Sequence, residues 1–557
     1  MSKIGIFALG GLDENGENMY IVVVYDKLFI LDGGLRYPTA EMLGIDEIIP
    51  DFLMLVPAKK RIKGIFISHP HEDHIGALPE LLRVLEVPVY ATNLAAEIII
   101  DNLEENEIDV SKLEINSIKE NDVITFDDVK VSFFQTTHSI PHSIGIAIET
   151  VDGVIVYTSE YTLNQSVNPE YQTDYKRISE LANKNVLALL IESGGVLNVP
   201  EPSANEILTH KLNNVFLTAT GRIIFTLFSS DLLKIQKIVD LALHHKKKIA
   251  IIGRKAQRIV DIALDNGYLN IPKDALVNLR FIDEKNKNDD SDLVCLVTGS
   301  RHEPFYMLQR IVKKTDRLIN IDEDDTVVLL TSPVPGTEKM AARTLDILHR
   351  SEAEIITLER KYLSTSHANA DEVKMMINLL RPKYIIPVIG EYRHQYTTKK
   401  LALSLGYSDN NVILLDNGDV LRIEKGRYYV SKGDIKTGDI LIDGTPMIDN
   451  NDVIMRDRAL LAEDGAVLVI ANVNPKDKTI VGEIEILTKG FIFSSDTTEV
   501  IDNLKLLFVD LSERFLNAKY INWNDYKRFT RGEMSKFLYK TMKKRPIVLP
   551  VIISTEI

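Results

Sequence analysis

The stretch Ser68-His69-Pro70-His71-Glu72-Asp73-His74 decides how the rest of this sequence is interpreted. It follows the apolar run Gly64-Ile65-Phe66-Ile67, which predicts a buried strand, and residues 75–82 after it predict a helix. Three imidazoles and a carboxylate therefore leave the end of one strand together, where α/β proteins tend to place their sites. Imidazole and carboxylate groups suit zinc and manganese. A solvated turn rich in histidine is the alternative, and it is disfavoured because the whole chain has only 12 histidines.

The composition is that of a globular protein with several domains. With 557 residues, 45% of them apolar and 26% charged, the chain is too long for one core, and we expect three domains. No apolar run approaches the roughly 20 residues that cross a bilayer, and the first residues lack the pattern of a signal peptide. The single cysteine, Cys295, excludes an internal disulfide framework. We therefore expect a cytoplasmic protein without a membrane segment.

The net charge of −15 argues against non-specific binding to nucleic acid. It leaves room for a local basic groove, or for metal ions that offset the charge of an anionic substrate. The basic clusters at residues 244–248 and 543–545 are more typical of solvated faces.

Other polar residues also follow predicted apolar strands. Asp32 comes directly after residues 28–31, His138 follows residues 129–136, and Glu160 ends the run 153–159. Asp32 could orient a metal-binding histidine or cap the following loop, and the sequence favours neither. Glu160 could bridge two ions or remain a strand-end acid in solvent. His138 could join the histidine cluster, although alone it is a weak signal.

Strand–helix repeats begin near residue 186 and predict a separate parallel α/β domain. Within it, Thr298-Gly299-Ser300 could present backbone N–H groups to a phosphate, although a simple turn is the better bare interpretation. Ser366-His367 precedes a predicted helix at 371–380 and could hold a phosphate oxygen, or could be a helix cap beside a surface histidine. From about residue 449 a small α+β module follows, suited to dimerisation or docking.

With these residues in view, the chain resembles the metallo-β-lactamase superfamily, in particular its branch with an inserted β-CASP domain, and within that the bacterial ribonuclease J family. It is most similar to the second, less active paralogue of that family. The resemblance covers essentially all 557 residues. The motifs that carry it are Asp32, His69 to His74, His138-Ser139-Ile140-Pro141, Pro335-Gly336, Ser366-His367, Gly390-Glu391-Tyr392-Arg393 and Arg545-Pro546.

The resemblance implies an α/β fold in four segments. A metallo-β-lactamase αββα sandwich would use residues 1–203 and 359–448. An α/β β-CASP domain would be inserted at 204–358, and a small α+β oligomerisation domain would occupy 449–557.

The resemblance also implies a site with two divalent ions, Mn²⁺ or Zn²⁺, with Mg²⁺ as a further candidate. His69, His71 and His138 would hold one ion, Asp73 and His74 the other, and Glu160 would bridge them. Asp73 and His367 would be catalytic, with His367 contacting the scissile phosphate, while Asp32 would orient a ligand. The pocket for a 5′-monophosphate would be formed by Thr298, Gly299, Ser300, Ser366 and His367.

Three positions depart from the family pattern. Glu160 stands where the family has aspartate, which lengthens the side chain by one methylene. Ile389 replaces a histidine and offers no metal donor, and His142 replaces an acid. A weak second ion site is therefore expected.

The expected function is that of a weak, metal-dependent ribonuclease subunit for RNA decay and rRNA maturation. It would be a 5′-to-3′ exonuclease, with endonuclease activity as a further candidate, and would act on RNA with a 5′-monophosphate. We expect a homodimer or homotetramer and a hetero-oligomer with a sister paralogue. A non-catalytic structural partner of that paralogue is the alternative. A small-molecule metallo-hydrolase is disfavoured, because a small substrate does not need a long inserted domain to enclose it.

Overall fold

The computed structural model describes residues 3–39, 41–163, 168–199, 204–277, 291–299, 303–334, 337–363, 366–424, 427–444, 451–491, 497–517 and 522–555. The chain divides into two compact units. One contains Met1–Thr39 and Asp46–Gly444, and the other contains Ala40–Ile45 and Thr445–Ile557. The expected sandwich and its insert thus lie in one compact unit, while the boundaries at 203, 358 and 448 stay a prediction.

The described residues form 24 strands and 15 helices. The strands are β1 (Ile4–Gly10), β2 (Met19–Val24), β3 (Lys27–Leu31), β4 (Glu47–Pro50), β5 (Ile62–Phe66), β6 (Val89–Thr92), β7 (Ile115–Ile118), β8 (Val123–Phe126), β9 (Val129–Gln135), β10 (Ile144–Thr150), β11 (Gly153–Tyr157), β12 (Val186–Glu192), β13 (Ile223–Phe228), β14 (Lys248–Ile252), β15 (Leu293–Gly299), β16 (Thr326–Leu329), β17 (Glu354–Thr357), β18 (Tyr384–Val388), β19 (Val420–Glu424), β20 (Arg427–Ser431), β21 (Asp439–Ile442), β22 (Ala466–Asn474), β23 (Thr479–Lys489) and β24 (Ile547–Ser554). The helices are α1 (Glu72–Ile75), α2 (Leu78–Leu85), α3 (Asn93–Glu105), α4 (Tyr175–Ala182), α5 (Ala204–Thr218), α6 (Leu232–His244), α7 (Arg254–Asp265), α8 (Glu303–Val312), α9 (Glu338–Leu348), α10 (Arg360–Leu363), α11 (Ala370–Leu380), α12 (Tyr392–Ser404), α13 (Asn451–Asp464), α14 (Thr497–Leu516) and α15 (Trp523–Met542).

Two mixed sheets form the sandwich of the first unit. Their strand orders are β20-β19-β1-β2-β3-β5-β6-β7 and β18-β12-β11-β10-β9-β8. Side chains of both sheets share one buried core, in which Ile6 and Phe29 of the first sheet join Phe133 and Ile146 of the second. Helices α4, α11 and α12 cover the outer face of the second sheet, and α2 and α3 follow strands of the first sheet with mostly buried apolar faces. The expected αββα sandwich is confirmed.

The insert contains an all-parallel sheet of order β14-β15-β13-β16-β17. Its strands are apolar runs, as expected when helices cover both faces of a sheet, and β15 is buried at every position. The expected α/β insert is therefore confirmed. The assignment of the repeats from residue 186 onward to this domain was wrong at its first strand, because β12 pairs in parallel with β11 and β18 of the sandwich. A buried parallel strand has the same apolar pattern in either sheet, so its sequence does not identify its neighbours.

The second unit is a small α+β module, as expected. Its sheet has the order β23-β22-β24, and α14 and α15 cover one face with a core that includes Val467, Phe508, Tyr526 and Leu538. Helix α13 was not predicted. Across the described parts of both units, no helix is long and apolar enough to span a bilayer.

The strand pairing brings several polar strand ends to one edge of the sandwich. Strands β3 and β5 are parallel, and Leu31 pairs with Phe66, so Asp32 and the histidine stretch begin side by side. Strands β11, β12 and β18 are also parallel, and they end close to Glu160, at Glu192 and just before Ile389. Parallel strands carry their carboxyl ends to the same edge, so these residues come together although they are far apart in the chain.

Candidate metal centre

Three histidines converge at this edge. Nε2 of His69 lies 3.0 Å from Nδ1 of His71, and Nε2 of His138 lies 3.1 Å from the same His71 atom. Oε2 of Glu160 is 3.2 Å from His138 Nε2 and 3.5 Å from His69 Nε2. The ligand atoms of these four residues all lie within 4.8 Å of one another. The structure thus brings together the residues predicted for the first ion.

The hydrogen bonds behind two of these rings orient their lone pairs toward the common centre. Nδ1 of His138 lies 2.8 Å from the Ser366 carbonyl oxygen, which can only accept. Nδ1 of His69 lies 3.0 Å from Ser68 Oγ, whose own proton goes to Asp32. Because a neutral imidazole has one N–H, both Nε2 atoms then carry lone pairs. Converging lone pairs repel one another unless a cation lies between them, so the geometry fits a metal ion.

The second predicted set lies directly beside the first. Nε2 of His74 is 3.6 Å from Asp73 Oδ2 and 3.7 Å from Glu160 Oε1. Each oxygen of Glu160 therefore faces a different cluster. Glu160 is only 4% exposed, which excludes the alternative of a strand-end acid in solvent. The extra methylene has not displaced the carboxylate from the histidines.

Asp32 lies behind His74 and is completely buried. Its Oδ2 accepts a hydrogen bond from Nδ1 of His74 at 2.8 Å and another from the Tyr157 hydroxyl at 2.7 Å. The backbone N–H and the hydroxyl of Ser68 also donate to its two oxygens. Of the two interpretations left open by the sequence, these contacts favour the orientation of a ligand histidine, since the described hydrogen bonds of this carboxylate go to Ser68, His74 and Tyr157 and not to the loop that follows Asp32.

The electrostatics of the site suit a divalent cation. Burial and the neighbouring imidazoles lower the pKa of His69 and His71 well below the usual range, so both rings are neutral at pH 7. Against burial, the charge of His367 holds the pKa of Glu160 well below its usual range. Neutral imidazoles with an ionised carboxylate are a donor set for zinc or manganese.

The second set, Asp73 and His74, is less ready to bind a cation than the first. Burial raises the pKa of Asp73 to about 6. The carboxylates of Asp73 and Asp32 overcome burial and raise the pKa of His74 well above its usual range. His74 must therefore release a proton before it can bind an ion, which makes ion binding here dependent on pH.

His367 lies next to the same centre. Its Nδ1 donates to Oε1 of Glu192 at 2.7 Å and lies 3.8 Å from Glu160 Oε1. Although burial opposes it, the negative charges of Glu160 and Glu192 raise the pKa of His367 to about 10. The side chain is 37% exposed, so a cationic ring faces the space above the clusters. Ser366 does not cap the following helix, because Asn369 is the N-cap of α11.

Glu192 was not singled out from the sequence. It is fully buried, and its second oxygen accepts from the backbone N–H groups of Tyr161 at 3.0 Å and Ala368 at 3.3 Å. Its only sequence signal is an acid that ends an apolar strand, which is the same signal that identified Asp32 and Glu160. Asn18 was also missed, and its side-chain amide lies 3.4 Å from Asp73 Oδ2 and 3.3 Å from His74 Nε2.

Ile389 places a hydrocarbon side chain just after the end of β18. It is 5% exposed and has a backbone φ of 56°, a region that a β-branched residue seldom adopts. Its N–H donates to the Tyr20 hydroxyl at 3.1 Å, and that hydroxyl lies 3.0 Å from Asn18 Oδ1. A short chain of hydrogen bonds thus links the backbone of Ile389 to the Asp73–His74 set, while its side chain offers no donor.

Of the residues predicted for a phosphate pocket, Ser366 and His367 contact the clusters. No described hydrogen bond joins Thr298 or Gly299 to them. Thr298 and Gly299 end β15 in the insert, and the Thr298 hydroxyl is buried without a partner among the described atoms. Ser300 lies outside the described residues. His142 packs edge-on against Tyr268, with 5.4 Å between the ring centroids.

Comparisons with known proteins agree with this architecture. Family models match residues 12–167 (metallo-beta-lactamase superfamily), 220–348 (Ribonuclease J, beta-CASP domain), 356–414 (Zn-dependent metallo-hydrolase RNA specificity domain) and 453–555 (Ribonuclease J C-terminal domain). A "Ribonuclease J 2" of Staphylococcus aureus strain MRSA252 is 35% identical over 549 residues, which cover 99% of this chain and 98% of the relative. The chain belongs to the ribonuclease J family.

Other matches extend this picture of ribonuclease J. The "Ribonuclease J 2" of Staphylococcus epidermidis is 34% identical over 549 residues, with coverage of 99% of this chain and 98% of the relative. A crystal structure titled as a protein of unknown function from Enterococcus faecalis V583 has a TM-score of 0.54 at 15% identity and covers 76% of this chain and 100% of its own. That likeness shows the fold alone. Membership of the ribonuclease J family makes this a metallo-hydrolase-type, RNA-binding ribonuclease fold, and its histidine–carboxylate cluster indicates a divalent metal.

Proposed function

We propose that this protein is a divalent-metal-dependent ribonuclease subunit with 5′-to-3′ exonuclease activity that Ile389 keeps weak. One observation carries the proposal: the nitrogens of His69, His71 and His138 and a carboxylate oxygen of Glu160 lie within 4.8 Å of one another. In a member of the ribonuclease J family, such a donor set would bind the metal ion needed for phosphodiester hydrolysis. We infer roles in RNA decay and rRNA maturation in the cytoplasm, with endonuclease activity as a second mode.

His69, His71, His138 and Glu160 would hold one ion, and Asp73, His74 and Glu160 would hold the other. When bound, the ions would supply Lewis-acid stabilisation of phosphate charge and would lower the pKa of water. Mn²⁺ fits the mixed nitrogen and oxygen donors of the second set better than Zn²⁺ does, because that set has one imidazole and two carboxylates.

His367 is the residue that would act on the leaving side. Its ring is cationic at pH 7 because its pKa is raised to about 10, so it can stabilise negative charge on the phosphate or give a proton to the departing 3′-oxygen. Glu192 would position this ring, since it holds Nδ1 and leaves Nε2 for the substrate. Asp32 would do the same for His74.

The 5′-to-3′ direction would follow from a pocket that holds the 5′-monophosphate at a fixed distance from the ions. We assign Thr298, Gly299, Ser300 and Ser366 to this pocket, together with His367. The family resemblance supports this assignment, and so does the place of Thr298 and Gly299 at a carboxyl strand end of the insert.

A structural partner of a more active ribonuclease J paralogue is the second candidate function, and Ile389 favours it. Ile389 stands where the family has a histidine, so the second ion would have one nitrogen ligand, from His74. On this proposal the chain would stabilise the sister subunit in a hetero-oligomer, in addition to forming a homodimer or homotetramer. Measuring the mass of the mixed chains would test it, and a homotetramer that ignores the sister would count against it.

An RNA assay separates the two functions. The purified protein, supplemented with Mn²⁺, is mixed with a 5′-monophosphorylated RNA and with the same RNA carrying a 5′-hydroxyl. We expect slow release of mononucleotides from the monophosphorylated RNA alone, and its loss in His71→Ala. If His71→Ala cuts as well as the wild type, the activity belongs to another site. If the wild type leaves the RNA intact, the structural-partner function is favoured.

A further inference from the structure

Helix α12 carries two exposed tyrosines that the proposed chemistry does not use. Tyr392 and Tyr396 are 49% and 43% exposed. Their rings are nearly parallel, with 12° between the planes and 6.1 Å between the centroids. Residues four apart on a helix rise about 6 Å along its axis, so the helix itself sets this spacing. Two large aromatic faces are thus held open to solvent in a fixed stack.

A positive charge lies on the same face of α12, and we call Tyr392, Tyr396 and Lys400 together the aromatic stripe. Lys400 follows Tyr396 by four residues, and its Nζ lies 4.6 Å from the centre of the Tyr396 ring. Within the described part of the chain it forms no ion pair, whereas the nearby Arg393 is paired with Glu391. The two rings can stack on the bases of a ligand, and the ammonium group of Lys400 can attract its negative charge. This local positive charge stands out in a protein whose net charge is −15.

The stripe begins next to the candidate metal centre. The Tyr392 N–H donates to Asp13 Oδ1 at 2.9 Å, and Asn15 of the same loop donates to Glu391 at 3.0 Å. This loop leads to Asn18, which contacts Asp73 and His74. Tyr392 is also only three residues from Ile389, so their Cα atoms are at most about 11 Å apart.

The insert contacts the loop that carries His138. The Leu233 N–H, at the start of α6, donates to the Ser139 carbonyl at 3.1 Å, directly after His138. The aromatic stripe is therefore near the Asp73–His74 set, and the insert is near the His71–His138 set. An RNA whose 5′ end is held by the insert would cross the ions and continue toward α12.

We propose that Tyr392, Tyr396 and Lys400 form a stacking platform for unpaired RNA nucleotides downstream of the cut bond. The proposal rests on the proposed ribonuclease function and adds a binding surface to it. Every base has a flat face, so such a platform would bind RNA without sequence preference. The whole of α12 also falls within residues 356–414, which match the RNA specificity model. A protein partner fits less well, because the stripe is short and ends on the charge of Lys400.

The test compares RNA lengths. Affinities are measured with EDTA, so that cutting does not interfere, for a 5′-monophosphorylated oligouridylate of about 20 nucleotides, longer than an ordinary single-strand site, and for a trinucleotide. We expect Tyr392→Ala/Tyr396→Ala to lose at least about tenfold in affinity for the long RNA and to bind the trinucleotide like the wild type. The double Phe variant keeps the ring faces and should bind the long RNA normally.

Tyr429→Ala is the matched control, since Tyr429 is also 49% exposed and also lies beside a cation, Arg422. Equal long-RNA affinity of the double Ala variant and the wild type would overturn the platform and leave the ribonuclease function standing. A wild type that binds neither RNA would overturn the platform, and the Mn²⁺ cutting assay described above would then decide the ribonuclease function separately. A changed mass of the double Ala variant in ultracentrifugation, with unchanged RNA affinity, would identify the stripe as a protein interface and also overturn the platform.

Discussion

Oδ2 of Asp32 lies 2.8 Å from Nδ1 of His74, and both side chains are completely shielded from solvent. This contact fixes which nitrogen of His74 carries the proton and directs Nε2 toward Asp73 and Glu160. A carboxylate behind a ligand histidine raises its basicity and holds its ring plane. The second ion site therefore depends on a residue that would not touch the ion.

Asp32→Asn should weaken the second site selectively. The amide has the same shape but no charge, so the pKa of His74 falls and its ring loses its strongest acceptor. We expect Mn²⁺ affinity at this site to drop by about 10- to 100-fold, with the His69–His71–His138 site less affected. A two-site Mn²⁺ titration measures it, and Asp346→Asn on the exposed face of α9 is the control. Equal losses at both sites would contradict the role of Asp32.

Ile389→His should strengthen both ion binding and RNA cutting. Histidine supplies the missing nitrogen, and it tolerates a positive φ better than a β-branched residue does. We expect at least a tenfold faster release of nucleotides, roughly the range for one acid–base or ligand group at a site. If the wild type is inactive and this variant cuts RNA, the structural-partner function is supported.

Ile389→Leu is the control for that experiment. Leucine also removes the β-branch at the φ of 56° but brings no nitrogen. A gain shared by both variants would mean that backbone relaxation, and not a new ligand, raises the rate. The rate of each variant is measured over a range of Mn²⁺ concentrations, which separates ion affinity from turnover.

Glu192→Gln should move the pH dependence of RNA cutting. The negative charge of Glu192 helps to raise the pKa of His367 to about 10. Without it the pKa falls, so the cationic ring is lost at a lower pH and the alkaline limb of the rate profile shifts downward. Turnover should fall while KM for RNA changes little, because Glu192 holds the ring and is too buried to touch RNA. Rates between pH 6 and 10 measure the shift.

Glu372→Gln is the matched control for Glu192→Gln. Glu372 is a carboxylate on the neighbouring α11, where it accepts hydrogen bonds from Asn369 and Leu163. Its loss should lower stability and leave the alkaline limb in place. If both variants shift the limb equally, the effect is structural and the positioning role of Glu192 is wrong.

The insert offers a test of stability away from the ions. Arg222 and Asp325 are 1% and 3% exposed, and their two hydrogen bonds measure 2.9 and 2.6 Å. Asp325→Ala leaves the guanidinium buried without its main partner and should cost about 3–5 kcal/mol. Replacing both residues, as Arg222→Met with Asp325→Leu, should recover most of the loss. Urea unfolding midpoints measure both changes, and a double variant as unstable as Asp325→Ala would contradict this explanation.

The local pattern of the sequence was enough for much of the site. His69, His71, Asp73, His74, Asp32 and Glu160 all follow apolar runs, and a polar side chain just beyond a buried strand must lie at a sheet edge. The α+β module also followed from such patterns, whereas the αββα sandwich followed only from the resemblance to the family. These are properties of short segments, and short segments are where hydrophobic periodicity is informative.

Tertiary structure alone decided which strand ends meet. Glu192 has the same strand-end signal as Asp32, yet only the parallel pairing of β12 with β18 and the turn at Ala368 place it beneath His367. The tyrosine stack on α12 follows from helical spacing, but the start of this helix is held by a contact with Asp13, nearly 400 residues earlier in the chain. Periodicity reports which face of an element is buried and carries no information on its neighbour, because the buried strands of every sheet here are built from the same apolar residues.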